Sequence, residues 1–326
     1  MFPLPSLSSF TRWCRRGNPP RRYQTSGTKG VSPVARSQWL WRIGFLALPL
    51  ILYMVIVIAP LAYSFFFSLT DWNGFNPEYN FVGLGNFERI FSDPLFGNAI
   101  KNTVIWIAVA LTVPVLGGLG LALILHEGMR GANLYKSLFY LPICLSLAVI
   151  GQIWIWIYQP RWGLLNLTLN GIGLEDLSRA WLADPGTALS SVILAWVWQQ
   201  LGLGMVIFLA GLTAVPTELT DAAQIDGANY WQTLRHVVVP LLQPSTVVVV
   251  ALAVINSLKS FDIVYIMTGG GPFHSSDTLA MFMYHESFKK YYMGYGSAIS
   301  VVLFMIAVTV IAFYFRQIRA LEHLYD

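Results

Sequence analysis

Six long apolar runs, with nearly every charge confined to the short intervals between them, constrain this chain more than anything else in it. The runs lie at roughly 43–69, 98–125, 137–158, 187–213, 244–264 and 297–315. A run of about 18 or more apolar residues, rising about 1.5 Å per residue as a helix, is long enough to cross about 30 Å of hydrocarbon. Hydrocarbon offers backbone amides no partner, so such segments must be helices that satisfy themselves. The pattern predicts an all-α integral membrane protein with about six transmembrane helices. Of the 326 residues, 56% are hydrophobic and only 11% charged, too few charges to clothe a soluble core, since ordinary domains carry about 25%. The fifth run is the most polar, because Asn256, Ser257, Lys259 and Asp262 occupy its second half. Pro49, Pro60, Pro114 and Pro142 lie in or near runs and are predicted to kink them.

The basic residues give an orientation. Eight of the twenty Lys and Arg precede the second half of the first run: Arg12, Arg15, Arg16, Arg21, Arg22, Lys29, Arg36 and Arg42. Six spans place both termini on one side, and that side then holds thirteen of the twenty. Positive charge marks the cytoplasmic face, so both termini are predicted to be cytoplasmic in a multi-pass protein of the plasma (inner) membrane. Residues 1–40 read as a basic, disordered cytoplasmic tail held near anionic lipid, and 41–326 as the transmembrane domain. The tail has no apolar stretch followed by a small-residue cleavage site, so it is not a secretory signal.

Several chemistries lack their residues. No GxxxxGK[ST] is present, so no nucleotide is bound by a P-loop, and Gly269-Gly270-Gly271-Pro272 reads as a tight turn. No Gly-x-Ser-x-Gly or His-Glu-x-x-His occurs, and the chain is not expected to be an enzyme or to hold a cofactor. The five histidines include no i, i+4 pair, so no metal site is expected. The two cysteines, Cys14 and Cys144, sit in the tail and the third run, which excludes a disulfide framework. The net charge of +4 has no polar binding face interleaved with it, and nucleic acid is not an expected partner. Asp262 is the one acid within the runs, which disfavours a proton-coupled carrier.

The interval VPTELTDAAQIDGANYWQTLRHVVVPLLQ, Val215 to Gln243, is too patterned for a simple connector. Thr217 can cap a short helix with Leu219, Ala222, Ala223 and Asp226 on one side, and Gly227 can end it. Asn229 and Gln232 are spaced as a capping pair opening a second helix that runs to Pro240. Small residues at the bend, among them Ala222, Ala223 and Gly227, let another surface approach the backbone. A helical hairpin lying on the membrane would show the same pattern.

In wording, Asp221-Ala222-Ala223, Asp226-Gly227-Ala228 and Pro240 resemble the EAA loop of ABC importer permeases, with Asp221 where that family most often has Glu. The run Phe261 to Pro272, then Tyr284 to Phe288 and Tyr295-Gly296-Ser297-Ala298, resembles the carbohydrate-uptake permeases of the maltose and glycerol-phosphate type. Thr70-Asp71-Trp72 and Phe81-Val82-Gly83-Leu84-Gly85-Asn86-Phe87 match the same subfamily, so the resemblance covers about 40–320.

The resemblance implies the type I importer architecture, in which 216–240 is a cytoplasmic coupling helix docked on an ATPase. Asp221, Ala222, Ala223, Asp226, Gly227 and Pro240 would then form the ATPase-coupling set. It also implies a second, related permease subunit, two ATP-binding subunits and an extracytoplasmic substrate-binding protein, with lipid around the spans. A sugar is held by amides, hydroxyls and aromatic faces. Trp196, Trp198, Gln199 and Gln200 in the fourth run and Asn256, Ser257 and Ser260 in the fifth have those properties and are the candidate substrate pathway. The same residues could anchor helices to one another or to the interface. Lys259 and Asp262, three apart, are placed to pair with each other or to meet water and lipid. A permease for amino acids, peptides or polyols, or a secondary carrier, is the alternative.

Overall fold

In the computed structural model, residues 44–126 and 128–322 are described, and among them every extended element is a helix. The 1–40 tail and Cys14 lie outside the described residues. The chain divides into two compact units after Ala59. Within the first, residues 44–59 are helical and expose almost every apolar side chain they carry.

Among the described residues, four helices are long and apolar enough to span a membrane unbroken: α1 (Gly44–Phe67), α3 (Pro94–His126), α7 (Ala188–Thr213) and the Met293–Ala312 part of α13 (Met293–Glu322). The count reaches six if two bent pairs each make one span. The third predicted run is such a pair. Ala132–Cys144 (α4) and Leu147–Ile157 (α5) meet at 106° rather than continuing as one helix. Pro142 falls in a tight 3-10 turn, Leu145 turns extended, and Ser146 caps α5 by accepting from the Val149 N–H.

The fifth run also departs from expectation. Tyr230–Leu241 (α9) and Gln243–Leu258 (α10) meet at 68°, and α10 stops six residues before the predicted end. Lys259 and Ser260 leave helical geometry, and Phe261–Met267 (α11) is a separate short helix. Its polar second half thus marks a real break. Shorter helices complete the set: α2 (Gly85–Ser92), α6 (Leu164–Gly171), α8 (Thr217–Ile225) and α12 (Leu279–Tyr284), the last continued by a π turn over His285–Lys289.

The main packing axis is α3 against α7, with α10 laid on both. Glycine makes this approach possible. A Cβ on Gly118 would stand 2.9 Å from the backbone of Gly204, and one on Gly204 would stand 2.8 Å from the Pro114 carbonyl. Close backbone approach through small residues is how apolar helices gain dispersion contacts in a lipid solvent. Trp106 and Trp196 meet edge to face at 5.8 Å in the centre of this core, both fully buried. A second core, around Ile90, Phe96, Leu279, Phe282 and Ile299, ties the Pro94 end of α3 to α12 and α13. A third, around Val115, Phe208, Leu212 and Val249, lies toward the His126 end.

The stretch after α1 explains the subfamily-like residues there. Asn86 donates from Nδ2 to the carbonyls of Ser68 (2.9 Å) and Thr70 (2.8 Å), and Trp72 stacks on Phe67 at 4.2 Å. Asp71 accepts from the Asn80 side chain (2.9 Å) and backbone (2.7 Å), which hold its carboxyl below the usual carboxylate range.

Candidate functional site

Three places gather the residues that could carry function, and α3 relates two of them. Its 33 residues rise about 50 Å at 1.5 Å each, so its two ends lie a membrane's thickness apart.

At the His126 end stands the helix–glycine–helix projection. Helix α8 begins at Thr217 with Pro216 in the capping position, so Thr217 is not the cap that spacing suggested; its side chain accepts no capping bond. Gly227 has φ +84°, and the N–H groups of Asp226 and Ala228 return to the carbonyls of Ala222 and Ala223 (both 3.0 Å). This closes α8 as a left-handed C-cap does, and only glycine takes that φ without steric cost. Asn229 and Gln232 form a reciprocal capping box (3.0 and 2.8 Å) that opens α9. A π turn, Leu234–Val238, precedes Pro240, so the ring that cannot donate is met by a locally widened helix.

The projection is scarcely covered. Asp221, Ala222, Asp226 and Gly227 are exposed, Ala223 and Pro240 are half-buried, and Ile225 and Trp231 are 86% and 74% exposed. Beneath it, a cavity of about 510 Å³ is lined by Leu123 and His126 of α3, Leu212 and Val215 at the end of α7, and Thr220 and Tyr230 among others of the projection.

The second place is the mid-bundle contact of α7 with α10. Asn256 Nδ2 donates to Gln200 Oε1 (3.0 Å), Gln200 Nε2 to Gln199 Oε1 (3.3 Å), and Gln199 Nε2 to the Leu145 carbonyl (2.9 Å) at the α4–α5 break. The structure thus brings Gln199, Gln200 and Asn256 into one amide chain. Trp196 is fully buried against Trp106, its indole N–H without a hydrogen-bond partner, and Trp198 packs edge to face on Trp154 at 5.9 Å. Ser257 is buried and bonds back to the Val254 carbonyl (2.8 Å), and Ser260 is buried at the break after α10. The void beside Gln200 holds about 10 Å³, at the lower bound for a single water and far too small for a sugar. The bundle is closed there. Lys259 and Asp262, both exposed, do not form an ion pair among the described residues.

At the Pro94 end of α3 lies a third place that spacing did not reveal. Asn98 and Asn102 donate to the carbonyls of His274 (2.6 Å), Ser275 (2.9 Å) and Asp277 (2.8 Å), and Thr103 accepts from the Leu279 N–H (3.0 Å). So held, the turn after α11 brings the His274 Nδ1 within 2.6 Å of Asp277 Oδ2 and His285 Nε2 within 3.7 Å of Asp277 Oδ1. Burial pushes the Asp277 carboxyl up, and the His274 hydrogen bond and nearby positive charge oppose that shift. Glu286, also buried, accepts from Lys290 Nζ at 2.5 Å and faces Arg89 at 3.9 Å. Thr278 capping the apolar run from Leu279 was a legible helix start. Nothing in the spacing of 274, 277 and 285 signalled convergence.

The chain's residues 114–320 match the family described as the binding-protein-dependent transport system inner membrane component. It is 35% identical over 273 residues to the sulfoquinovosyl glycerol transport system permease protein of Agrobacterium fabrum, covering 84% of this chain and 87% of that one. It is 33% identical over 284 residues to the diacetylchitobiose uptake system permease protein of Streptomyces coelicolor, covering 84% and 80%. In fold it is similar to a chain of a bacterial ABC transporter involved in the import of the acidic polysaccharide alginate. That match has a TM-score of 0.76 at 20% identity and covers 87% of this chain and 96% of that one.

Proposed function

We propose, from the premise that this chain belongs to the family of binding-protein-dependent transport system inner membrane components, that it is the permease subunit of an ATP-driven sugar importer and forms half of the translocation path. One observation carries the reading: a well-capped helix–glycine–helix unit projects from the bundle with Ile225 and Trp231 bare. Large apolar side chains held out on an ordered projection are what a docking partner covers. That partner is an ATP-binding subunit, since the chain has no nucleotide loop of its own. Asp221, Ala222, Ala223, Asp226, Gly227 and Pro240 form the coupling surface, seated so that closure of the ATPases on nucleotide moves α8 and α9 as a body.

The projection faces the cytoplasm, and both termini share that side, in keeping with thirteen of twenty Lys and Arg there. Residues 1–40 form the basic cytoplasmic tail. A second, related permease chain completes the path, two ATP-binding subunits sit below, and an extracytoplasmic binding protein delivers the substrate. Relatives named for diacetylchitobiose and sulfoquinovosyl glycerol uptake favour a sugar or sugar derivative. Within this chain the path is edged by Trp196, Trp198, Gln199, Gln200, Asn256, Ser257 and Ser260. Half-buried Trp198 and Asn256 are the members a sugar reaches first as the closed bundle opens.

The test is reconstitution of the chain with its partner subunits and uptake of labelled oligosaccharides. Ala223→Trp is expected to leave the chain folded and inserted but to cut ATP-driven uptake at least about tenfold, a docking loss of about 1.4 kcal/mol. Unchanged uptake with unchanged ATPase assembly would overturn the coupling surface. Transport by this chain alone, without an ATPase, would overturn the whole reading.

A further inference from the structure

His274, Asp277 and His285 converge at the Pro94 end of α3, opposite the projection, and take no part in the coupling or pathway described above. Each offers one ligand atom, and the three atoms lie within 4.8 Å of one another. Asp277 is 1% exposed, and its Oδ1 has no hydrogen-bond partner although it faces His285 Nε2 at 3.7 Å. A buried carboxylate oxygen left unpaired is costly, and here it lies beside one imidazole while the second oxygen of the same carboxylate bonds the other. We propose that these three side chains form a binding site for a divalent transition-metal ion of the Zn²⁺ class.

The donor set selects the class. Two imidazole nitrogens and one carboxylate oxygen suit Zn²⁺ and its neighbours, whereas Ca²⁺ and Mg²⁺ take oxygen ligands. The separations suit it too. Ligands about 2.1 Å from a tetrahedral ion stand about 3.4 Å apart, near the 3.7 Å between Asp277 Oδ1 and His285 Nε2. His274 Nδ1 now bonds the other oxygen, Asp277 Oδ2, at 2.6 Å, and gives up that bond as the three ligand atoms, already within 4.8 Å of one another, close on the ion. His285 Nε2, now donating to the Gly269 carbonyl at 3.0 Å, ligates once its ring proton sits on Nδ1; His274 likewise carries its proton on Nε2. The histidines are 37% and 21% exposed, which gives the ion an entry path and leaves a position for water.

The frame is rigid before any ion arrives. Asn98 and Asn102 pin the backbone of both turn ligands, and Ser276 Oγ donates to the Gly271 carbonyl at 2.7 Å. Gly270, at φ +87°, is required beside the site, because a Cβ there would fall on Asp277 Oδ1. A bound ion would cross-link this turn to the π turn after α12 and lock the connector.

The full chain, purified with its partner subunits, is dialysed against ZnCl₂ at micromolar free ion and its metal content measured. One Zn²⁺ per chain is expected, with a rise in unfolding temperature that CaCl₂ does not give. His285→Gln and His274→Asn should each weaken binding about 100-fold or more, since even outer-shell changes cost 10–100-fold. Asn is chosen at 274 because it tolerates the φ of +60° there. Should neither variant fold, Co²⁺ titration of the unaltered chain decides: visible d–d bands of a low-coordinate N/O site support the proposal. No stoichiometric Zn²⁺, no such bands, or unchanged affinity in both variants would mean a hydrogen-bonded strap only, and overturn it.

Discussion

The connectors at the two ends of α3 are built from similar chemistry and satisfied in opposite ways. From Thr268 to Lys290 the chain folds in on itself: Ser276, Asp277, Thr278, Leu279 and Glu286 are buried, and two asparagines of α3 reach into the turn. Between Thr217 and Pro240, Thr233 alone is buried, and the capping bonds join residues only three to five apart. The first connector therefore draws its stability from tertiary bonds within this chain. The second has local order and keeps its apolar surface exposed, as a surface that awaits a partner on the proposed coupling role would. The two ends therefore differ in where their order comes from.

The sharpest break of that comparison is a matched pair of glycines. Gly270 and Gly227 have nearly the same φ, +87° and +84°. Alanine at either strains the backbone by about 1–2 kcal/mol. Around Gly227 a Cβ meets nothing within 4 Å, but at Gly270 it lands on the buried Asp277 carboxylate. Overpacking adds about 1–3 kcal/mol, so Gly270→Ala should cost about 3 kcal/mol or more and Gly227→Ala about 1–2. Thermal unfolding of the two purified variants compares them. Equal losses would mean that the Thr268–Lys290 connector is no better packed than the Thr217–Pro240 one.

Asparagines give a second, smaller contrast. Asn102 serves two carbonyls in the Thr268–Lys290 connector, and Asn102→Ala leaves the carbonyls of Ser275 and buried Asp277 without it. A cost of about 2–3 kcal/mol is expected. Asn229→Ala removes one cap of an exposed helix and should cost about 1 kcal/mol. Denaturation of each variant in the same detergent measures the difference, and a reversed order would show that the projection is held by more than its own caps.

Legibility in the sequence followed the range of the interaction. Hydrocarbon thickness acts on run length, so α1, α3, α7 and α13 could be placed from apolar residues alone. The capping box at Asn229 and Gln232 and the turn at Gly227 are bonds between near neighbours, and their residue types announce them. The kink at Pro142 was legible from the proline alone, but not its size of 106°, which comes from a stop at Pro142 and a new cap at Ser146 four residues on. Thr217 was misread as a cap because Pro216 takes that position with an extended ψ. The meeting of His274, Asp277 and His285 depends on amides of α3 more than 170 residues away, and no local pattern encodes it. The amide chain of Gln199, Gln200 and Asn256 was readable as a set of polar residues in apolar runs, but not as one connected line.

The least costly change tests what exposure at the projection means. Ile225 touches little and is 86% exposed, so Ile225→Ser should shift stability by no more than about 0.5 kcal/mol. If its role were fold maintenance, nothing else would change. If the projection is a docking unit, Ile225 is an anchor whose burial waits for the partner, and its loss should weaken co-purification with the ATP-binding subunit about tenfold. An exposed side chain that is neutral for folding and costly for assembly is the signature of a surface kept bare for a partner. The same substitution with unaltered co-purification would remove Ile225 from the interface and leave Trp231, 74% exposed on the next helix, as the next apolar anchor to test.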